Sequence, residues 1–364
     1  MKKSILAFVL VVVIALGAAL AFTACNNEFG GANFEIAFDL QEEWRNAFDT
    51  NYPQVALLVR AELAQSDPAL VAAVAAAFEQ SAQFARQNPA EAARIVGPQV
   101  MNSAYLPAPS VVESFIQTRG QYVFDFVHAQ QSRAAVTGFL QTLHGVNPQS
   151  VGGSVPGENF FFSGDGSGGS AGTGTISVLV PDGAPLIAAA YLFYTQPQIA
   201  GRNVTYELTT GPLIASRLLA THRPDFALAP INLAAVNFNN TGNYILAGIA
   251  LWGLLHIVEN TALTGGTQSL ADLVGETIFA YQPDMSPGVV LESILINAGL
   301  TVNVITVGEA PRADAVNIVY LFDNSAARDA LLGHIAAIGQ ARFALIAEPV
   351  ATALTLLPPT PASS

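Results

Sequence analysis

The sequence predicts an α/β protein whose mostly parallel sheets are flanked by helices. From Thr175 onward, short apolar runs alternate with helical segments, which is typical of parallel strands joined by crossover helices. Several of these helical segments open on a proline, which sacrifices no hydrogen bond at the first helical position. The chain has 364 residues, and at about 150 residues per domain this length favours two domains with sizeable cores.

Residues 1–25 are typical of a segment that directs export. Two lysines precede an apolar stretch from Ile5 to Phe22, which runs through Thr and Ala into Cys25. Small residues before a cysteine resemble a bacterial lipobox, in which the cysteine is lipidated and becomes the mature N-terminus. The alternatives are an uncleaved membrane anchor and an ordinary signal peptide with a fortuitous cysteine. We expect lipidation of Cys25, a polar tether at 26–33 and a body outside the cytoplasm.

The chain up to residue 144 predicts two strands and a block of helices. Phe34 to Leu40 carries apolar residues at alternate positions, and Val55 to Val59 is continuously apolar, so both segments are predicted strands. Asp67 and Asn88 can each cap a helix whose first residue is the proline that follows. Helices are predicted from Pro68, from Pro89, across 108–128 and across 131–144.

The segment Ser163 to Gly174 is rich in glycine and serine and predicts a flexible linker. Twelve such residues reach about 20 Å as a random coil. The segment formally matches the dinucleotide-binding fingerprint and the nucleophile elbow. Both motifs need a strand before them and a helix after them, and here a linker leads into a strand. We therefore assign neither function to it.

The chain after the linker alternates strands and helices. Strands are predicted at Ile176–Val180, Val204–Leu208, Phe226–Ala229, Ile245–Ala250, Leu254–Val258, Thr277–Tyr281, Val302–Val307 and Phe343–Ala347. Helices are predicted from Pro185, Pro212 and Ile231, and over Ser269–Val274, Pro287–Ala298 and Ala326–Ile338. The tail 358–364 is predicted to be disordered.

The loops that follow these strands predict a ligand site, because open α/β sheets bind ligands beyond the carboxyl ends of their strands. Polar side chains there can orient a ligand, Trp252 can supply a flat wall, and small residues admit a ligand close to the backbone. The candidates are Asp182, Gly183, Ala184, Pro185, Gly211, Pro230, Asn232, Trp252, Gly253, Gln282, Ser286 and Glu348. The alternatives are that Asp182 only caps a helix, that Trp252 is an ordinary core residue, and that Glu348 belongs to a plain strand-end turn.

Several longer stretches resemble one protein family. They are VPDGAP (180–185), DFALAPINLAA (225–235), LWGLLHIV (251–258), SLADLVGETI (269–278), ALIAEPVA (344–351), DLQEEW (39–44), YPQVALLV (52–59), NPAEAA (88–93) and NPQSVGGSVPGENFFF (147–162). The chain resembles solute-binding lipoproteins of ABC importers with the type II periplasmic-binding fold, in the nitrate, sulfonate and thiamine-precursor receptor group. The resemblance implies two lobes joined by two hinge strands, which close on a ligand.

The order of these stretches differs from the family order, in which the DLQEEW and NPAEAA segments follow the segment that corresponds to ALIAEPVA. A circular permutation accounts for this, with the linker 163–174 joining the old ends. The lobes would then be 53–258, which contains the linker, and 34–52 together with 259–357. Leu254–Val258 and Val55–Val59 are the expected hinges. Gln41 and Trp44 become secondary ligand candidates through their place in DLQEEW.

Composition and residue spacing argue against several other functions. The formal net charge of −13 disfavours nucleic-acid binding. The five histidines show no metal-ligand spacing, and we expect His256 to be a core or cleft histidine and Glu42 with Glu43 to form a solvated face. We predict no catalytic residue, metal or cofactor. Because few basic residues fall near the predicted cleft, a neutral, zwitterionic or cationic ligand is expected.

The sequence thus predicts an extracytoplasmic solute-binding protein that delivers a small organic molecule to an ABC permease. Its expected partners are the small-molecule ligand, the transmembrane permease subunits and the membrane through the lipid anchor. We expect a monomer. The alternatives are a ligand-sensing module for a membrane receptor and, on the same fold, an enzyme of cofactor biosynthesis.

Overall fold

The computed structural model describes residues 34–97, 106–164, 172–195, 198–263 and 266–357. The predicted signal peptide with Cys25, the tether, linker residues 165–171 and the tail 358–364 lie outside the described residues. Within the described part, the chain is an α/β protein with two six-stranded sheets flanked by helices.

The strands, numbered in chain order, are β1 (Phe34–Asp39), β2 (Pro53–Arg60), β3 (Val127–His128), β4 (Thr175–Pro181), β5 (Asn203–Thr209), β6 (Phe226–Pro230), β7 (Tyr244–Trp252), β8 (Leu255–Asn260), β9 (Thr277–Tyr281), β10 (Val302–Ile305), β11 (Val316–Leu321) and β12 (Phe343–Ala347).

The α-helices are α1 (Leu40–Phe48), α2 (Ala61–Ser66), α3 (Pro68–Gln87), α4 (Pro89–Ile95), α5 (Pro109–Val123), α6 (Ala129–Val146), α7 (Ala184–Ala188), α8 (Ala190–Thr195), α9 (Ile214–Leu218), α10 (Ile231–Thr241), α11 (Ser286–Asn297), α12 (Asn324–Leu331) and α13 (Val350–Thr355). Single 3-10 turns lie at Pro148–Val151, Glu158–Phe160, Gly211–Leu213 and Leu270–Leu273.

The two sheets draw their strands from different parts of the chain. Sheet I has the order β1-β8-β12-β9-β11-β10, and its strands come from 34–39 and 255–347. Sheet II has the order β3-β7-β2-β6-β4-β5, and its strands come from 53–252. We call each sheet with the helices packed on it half I and half II. The expected hinge Val55–Val59 lies inside β2, and the expected hinge Leu254–Val258 begins one residue before β8. Each of these two strands is paired on both sides.

Both sheets are mixed, so the prediction of mostly parallel sheets is confirmed only for part of each sheet. In sheet I, β9, β10, β11 and β12 run parallel, while β8 runs antiparallel to β1 and β12. In sheet II, β4, β5 and β6 run parallel, while β2 runs antiparallel to β6 and β7, and β3 antiparallel to β7. β2 is the first strand after the chain passes from half I to half II, and β8 is the first strand after it returns. Each of them runs antiparallel to both of its neighbours in the sheet.

The chain passes between the halves through α1 and through Gly253 with Leu254, within the described residues. Gly253 has φ of +20°, and a Cβ atom there would lie 1.9 Å from Gln41 Oε1. The close approach of α1 to this crossing therefore requires glycine. The next residue, Leu254, accepts a hydrogen bond from the Glu348 backbone N–H at 2.9 Å, which ties the crossing to the end of β12.

Aromatic side chains fill the junction beside these crossings. Trp44 and Tyr52 are fully buried, and their ring centroids lie 5.6 Å apart. Phe139 of α6 lies 5.1 Å from Trp44 and stacks on Tyr52 at 5.8 Å. One hydrophobic core therefore runs through both halves, and deletion of a buried aromatic ring from it costs about 3–5 kcal/mol. A second core covers the other face of sheet II.

Candidate functional site

The carboxyl edges of the two sheets face each other. β4, β5, β6 and β7 all end at one edge of sheet II, where Trp252 pairs with Pro53 and Pro230 with Val55. β1, β9 and β12 end at one edge of sheet I, where Ala347 pairs with Leu255. Because only Gly253 and Leu254 separate β7 from β8, the two edges adjoin. The sequence-predicted ligand residues therefore lie along these two edges.

Asn232 and Ser286 meet directly across the interface of the halves. Both side chains are fully buried, and Ser286 Oγ donates a hydrogen bond of 2.9 Å to Asn232 Oδ1. The Asn232 amide nitrogen donates to the carbonyl oxygens of Ser150 at 3.2 Å and Asp284 at 3.4 Å. The polar atoms of Asn232 are thus bonded within the protein, and they join the first turn of α10 to the first turn of α11.

The remaining predicted residues are spread along the edges. Trp252 is 7% exposed, and its Nε1 donates a 2.6 Å hydrogen bond to the Asp125 carbonyl, so it packs as a core residue. Asp182 Oδ1 accepts from the Gly183 N–H at 2.7 Å, and α7 begins at Ala184 with Gly183 as its cap. Partly buried residues are Pro185, Pro230 and Gln282, and Gly211 is exposed.

Glu348 belongs to a cluster of four ionisable side chains at the interface. Its Oε1 lies 3.1 Å from His256 Nε2 and 3.3 Å from Arg119 Nε. Arg119 also ion-pairs with Asp39, whose Oδ1 lies 3.9 Å from His256 Nδ1. Since Arg119 comes from α5 of half II and the other three come from half I, Arg119 bridges the two halves.

The cluster is largely shielded from water. The side chains of Glu348 and His256 are 0% and 3% exposed, and Arg119 is 28% exposed. Burial pushes the pKa of Glu348 upward, but the hydrogen bond and charge of His256 and the Thr352 backbone N–H and hydroxyl outweigh it, so the pKa lies below its ordinary value.

A groove of about 840 Å³ opens above this cluster. Half I contributes α1 and its neighbours β1 and α13, and half II contributes α5. The α1 wall presents Asp39, Glu42, Arg45, Asn46 and Asp49. The α5 wall presents Ser114, Thr118, Arg119 and Tyr122. The third wall is formed by Ile36, Thr352, Thr355 and Leu356. The groove is therefore polar, open to solvent and bounded by both halves.

The charges on α1 follow the helix repeat. Asp39, Glu42, Arg45 and Asp49 are spaced by three and four residues, which places them on one helix face. Within the described residues, no ion pair involves Glu42, Arg45 or Asp49. The guanidinium carbon of Arg45 lies 6.0 Å from the Tyr122 ring centroid. These groups are available to a molecule that enters the groove.

Sequence reasoning missed this groove. None of the twelve predicted ligand residues lines it. The secondary candidates Gln41 and Trp44 are buried behind it, Gln41 against Gly253 and Trp44 in the core. The signal available in the sequence was the spacing of charged residues along α1. On sequence alone, Glu42 and Glu43 there are assigned to a solvated face. Nothing in the sequence predicts that α5 lies opposite.

The described part of the chain contains no cluster of three or more His, Cys, Asp or Glu side chains arranged to hold a metal ion. Among the same residues, no helix combines the length and apolar character needed to cross a membrane. Comparison with known proteins finds no matching family model, no significantly similar curated protein and no significantly similar solved structure.

Proposed function

We propose that the protein is an extracytoplasmic solute-binding protein that captures a small organic molecule between its two halves and delivers it to an ABC permease. The observation that carries the proposal is the groove between α1, α5 and α13, because its walls come from both halves. A ligand that contacts both walls favours the arrangement in which the halves are close together. This is the behaviour expected of a receptor that closes on its ligand.

The size and lining of the groove suit a small polar solute. Its volume of about 840 Å³ falls within the roughly 300–1,000 Å³ typical of small-molecule sites. Charged groups and hydroxyls supply orienting contacts, and Tyr122 supplies an apolar surface. No histidine or cysteine lines the described groove, and reversible binding requires neither.

Arg119 couples ligand binding in the groove to the distance between the halves. Its guanidinium contacts Asp39 and Glu348 of half I from a helix of half II. A solute that bonds to Arg119 or Asp39 therefore acts on the ion pairs that hold the halves together. We propose that this coupling distinguishes the loaded protein from the empty one when it meets the permease.

The resemblance of the sequence to importer lipoproteins supports the extracytoplasmic part of the proposal. The anchor would be the lipid on Cys25, and several acyl chains on one cysteine suffice for stable membrane attachment. Mass spectrometry of the purified N-terminal peptide tests this step. A lipid-sized mass on Cys25 is expected, and an unmodified cysteine in the membrane fraction would contradict it.

A thermal-shift screen of the full-length protein in mild detergent tests the binding function. The panel contains sulfonates, amino acids, pyrimidines, polyamines and nucleosides. A ligand at 100 times its Kd that binds only the folded state adds about 2.7 kcal/mol to stability. We expect one ligand class to raise the Tm saturably and to be recovered unchanged. A ligand recovered as a chemically altered product would indicate an enzyme. A folded protein whose Tm no ligand class raises would contradict the proposal.

A further inference from the structure

The groove has an excess of negative charge in both of its layers. In the buried layer beneath it, the carboxylates of Asp39 and Glu348 share one guanidinium, that of Arg119. On the open layer, Glu42 and Asp49 flank Arg45 one turn away on either side. Each layer thus holds two carboxylates to one guanidinium, and this balance of charges favours a cation in the groove over an anion.

Glu348 brings a second carboxylate to the buried layer. Its side chain is 0% exposed, and its Oε1 lies 3.1 Å from His256 Nε2 and 3.3 Å from Arg119 Nε. A carboxylate oxygen can only accept a hydrogen bond, so it favours a nearby donor or cation over an anion.

An aromatic ring stands on the opposite wall of the groove. Tyr122 is 65% exposed, and Arg45 already places a cation 6.0 Å from its ring centroid. Aromatic faces attract ammonium groups, most of all in organic cations that shed water easily. Carboxylates on one wall and an aromatic face on the other are complementary to an alkylammonium group.

We infer that the solute of this groove is a small organic cation that carries an alkylammonium or quaternary ammonium group. The inference rests on the proposed function and narrows it to one ligand class. Glu42 and Asp49 supply the countercharges, Tyr122 supplies the apolar wall, and Arg45 competes with the ligand for the same space.

Isothermal titration of the full-length protein in mild detergent tests this inference. Choline and putrescine are the cationic probes, and isethionate is the matched anion, since it shares the hydroxyethyl group of choline. We expect at least one cation to bind and isethionate to fail. Glu42→Gln should weaken cation binding roughly three- to tenfold, as expected for loss of one charged contact. Arg45→Gln should tighten cation binding by a similar factor.

The opposite signs of these two changes separate a ligand contact from structural damage, because a disturbed α1 would weaken binding in both variants. Glu113→Gln is the matched control. It removes a carboxylate from the α5 wall helix, where Glu113 contacts Gln117 and does not line the groove. We expect binding by this variant to equal that of the wild type.

Two outcomes overturn the inference in distinguishable ways. Binding of isethionate, or of another anionic or uncharged solute, with an affinity that Glu42→Gln leaves unchanged would exclude a cationic ligand while solute binding stands. If the folded protein binds neither these probes nor any member of the thermal-shift panel, both the inference and the proposed function are contradicted.

Discussion

Ser286 Oγ donates a 2.9 Å hydrogen bond to Asn232 Oδ1, and this bond joins the first turn of α11 in half I to that of α10 in half II. Both residues are fully buried. Asn232→Ala should lower the free energy of unfolding by about 1–3 kcal/mol, because it leaves the Ser286 hydroxyl and the Ser150 carbonyl without partners. Denaturant unfolding of the full-length protein measures the change.

A double-mutant cycle isolates this bond. We expect the two single substitutions, Asn232→Ala and Ser286→Ala, to be coupled by about 0.5–3 kcal/mol in the cycle. Strictly additive effects would show that the two side chains do not interact in solution.

Gly253→Ala tests the close approach at the crossing between the halves. The added Cβ would lie 1.9 Å from Gln41 Oε1 and 2.8 Å from Gln41 Cβ, so the whole Gln41 side chain must move. Overpacking of this kind costs about 1–3 kcal/mol of stability. Thermal or denaturant unfolding measures it.

Gly138→Ala is the control for this change. Gly138 lies within α6, and a Cβ atom there meets nothing within 4 Å. This variant should be more stable than the wild type by roughly 0.5–1 kcal/mol, since alanine is the better helix former. Equal effects of the two glycine substitutions would contradict the packing described at Gly253.

Arg119→Gln tests the bridge between the halves. It removes the cation that faces Asp39 and the fully buried side chain of Glu348. The free energy of unfolding should fall by about 1–3 kcal/mol, because two carboxylates lose the cation that they share. Arg133→Gln breaks the ion pair with Glu158 on the surface, where the charges are exposed, and should change stability far less. Similar losses in both variants would argue against a bridging role for Arg119.

The stability of the wild type should depend on pH through Glu348. Its pKa in the folded protein lies below the ordinary 4.5 because contacts with His256 and Thr352 outweigh the effect of burial. A lowered folded pKa means that ionised Glu348 stabilises the fold above about pH 4.5. This contribution is lost as the pH falls through 4.5 toward the folded pKa. The Tm of Glu348→Gln should therefore be below that of the wild type at pH 7, and the gap should narrow in acid.

The pKa of Glu292 is shifted in the opposite direction from that of Glu348. Burial raises its pKa despite the 2.5 Å hydrogen bond from the Tyr320 hydroxyl, and Asp284 adds to the rise. Its favourable contribution is present below about pH 4.5 and is lost as the pH rises through the raised folded pKa. Glu292→Gln should thus cost little or add stability at pH 7. Two variants with the same pH profile would contradict this distinction.

The secondary structure was largely predictable, because short apolar runs between turn residues mark buried strands. The predicted strands Ile176–Val180 and Phe226–Ala229 are confirmed as β4 and β6. β11 was missed, since its second residue, Asn317, interrupts the apolar run. In the fold Asn317 is buried and hydrogen-bonded to the Glu276 and Arg312 carbonyls. The antiparallel direction of β2 and β8 was not predictable, because it follows from the path of the chain between the halves.

The candidate site was predictable only in part. Strand-end residues such as Asn232 and Ser286 do lie at the interface, but no local pattern shows that the two of them bond to each other. Whether a strand end is open or packed depends on how closely the halves approach. The groove depends on the same approach, since α1 and Arg119 on α5 are separated by about seventy residues and meet only in the fold.

The most direct test of ligand capture between the halves is hydrogen exchange of the full-length protein with and without the strongest ligand of the screen. We predict slower exchange on ligand addition in α1, α5 and α13, which lie on both sides of the groove. Protection restricted to one half, or to the loops at 182–185 and 211, would contradict the account and place the ligand elsewhere.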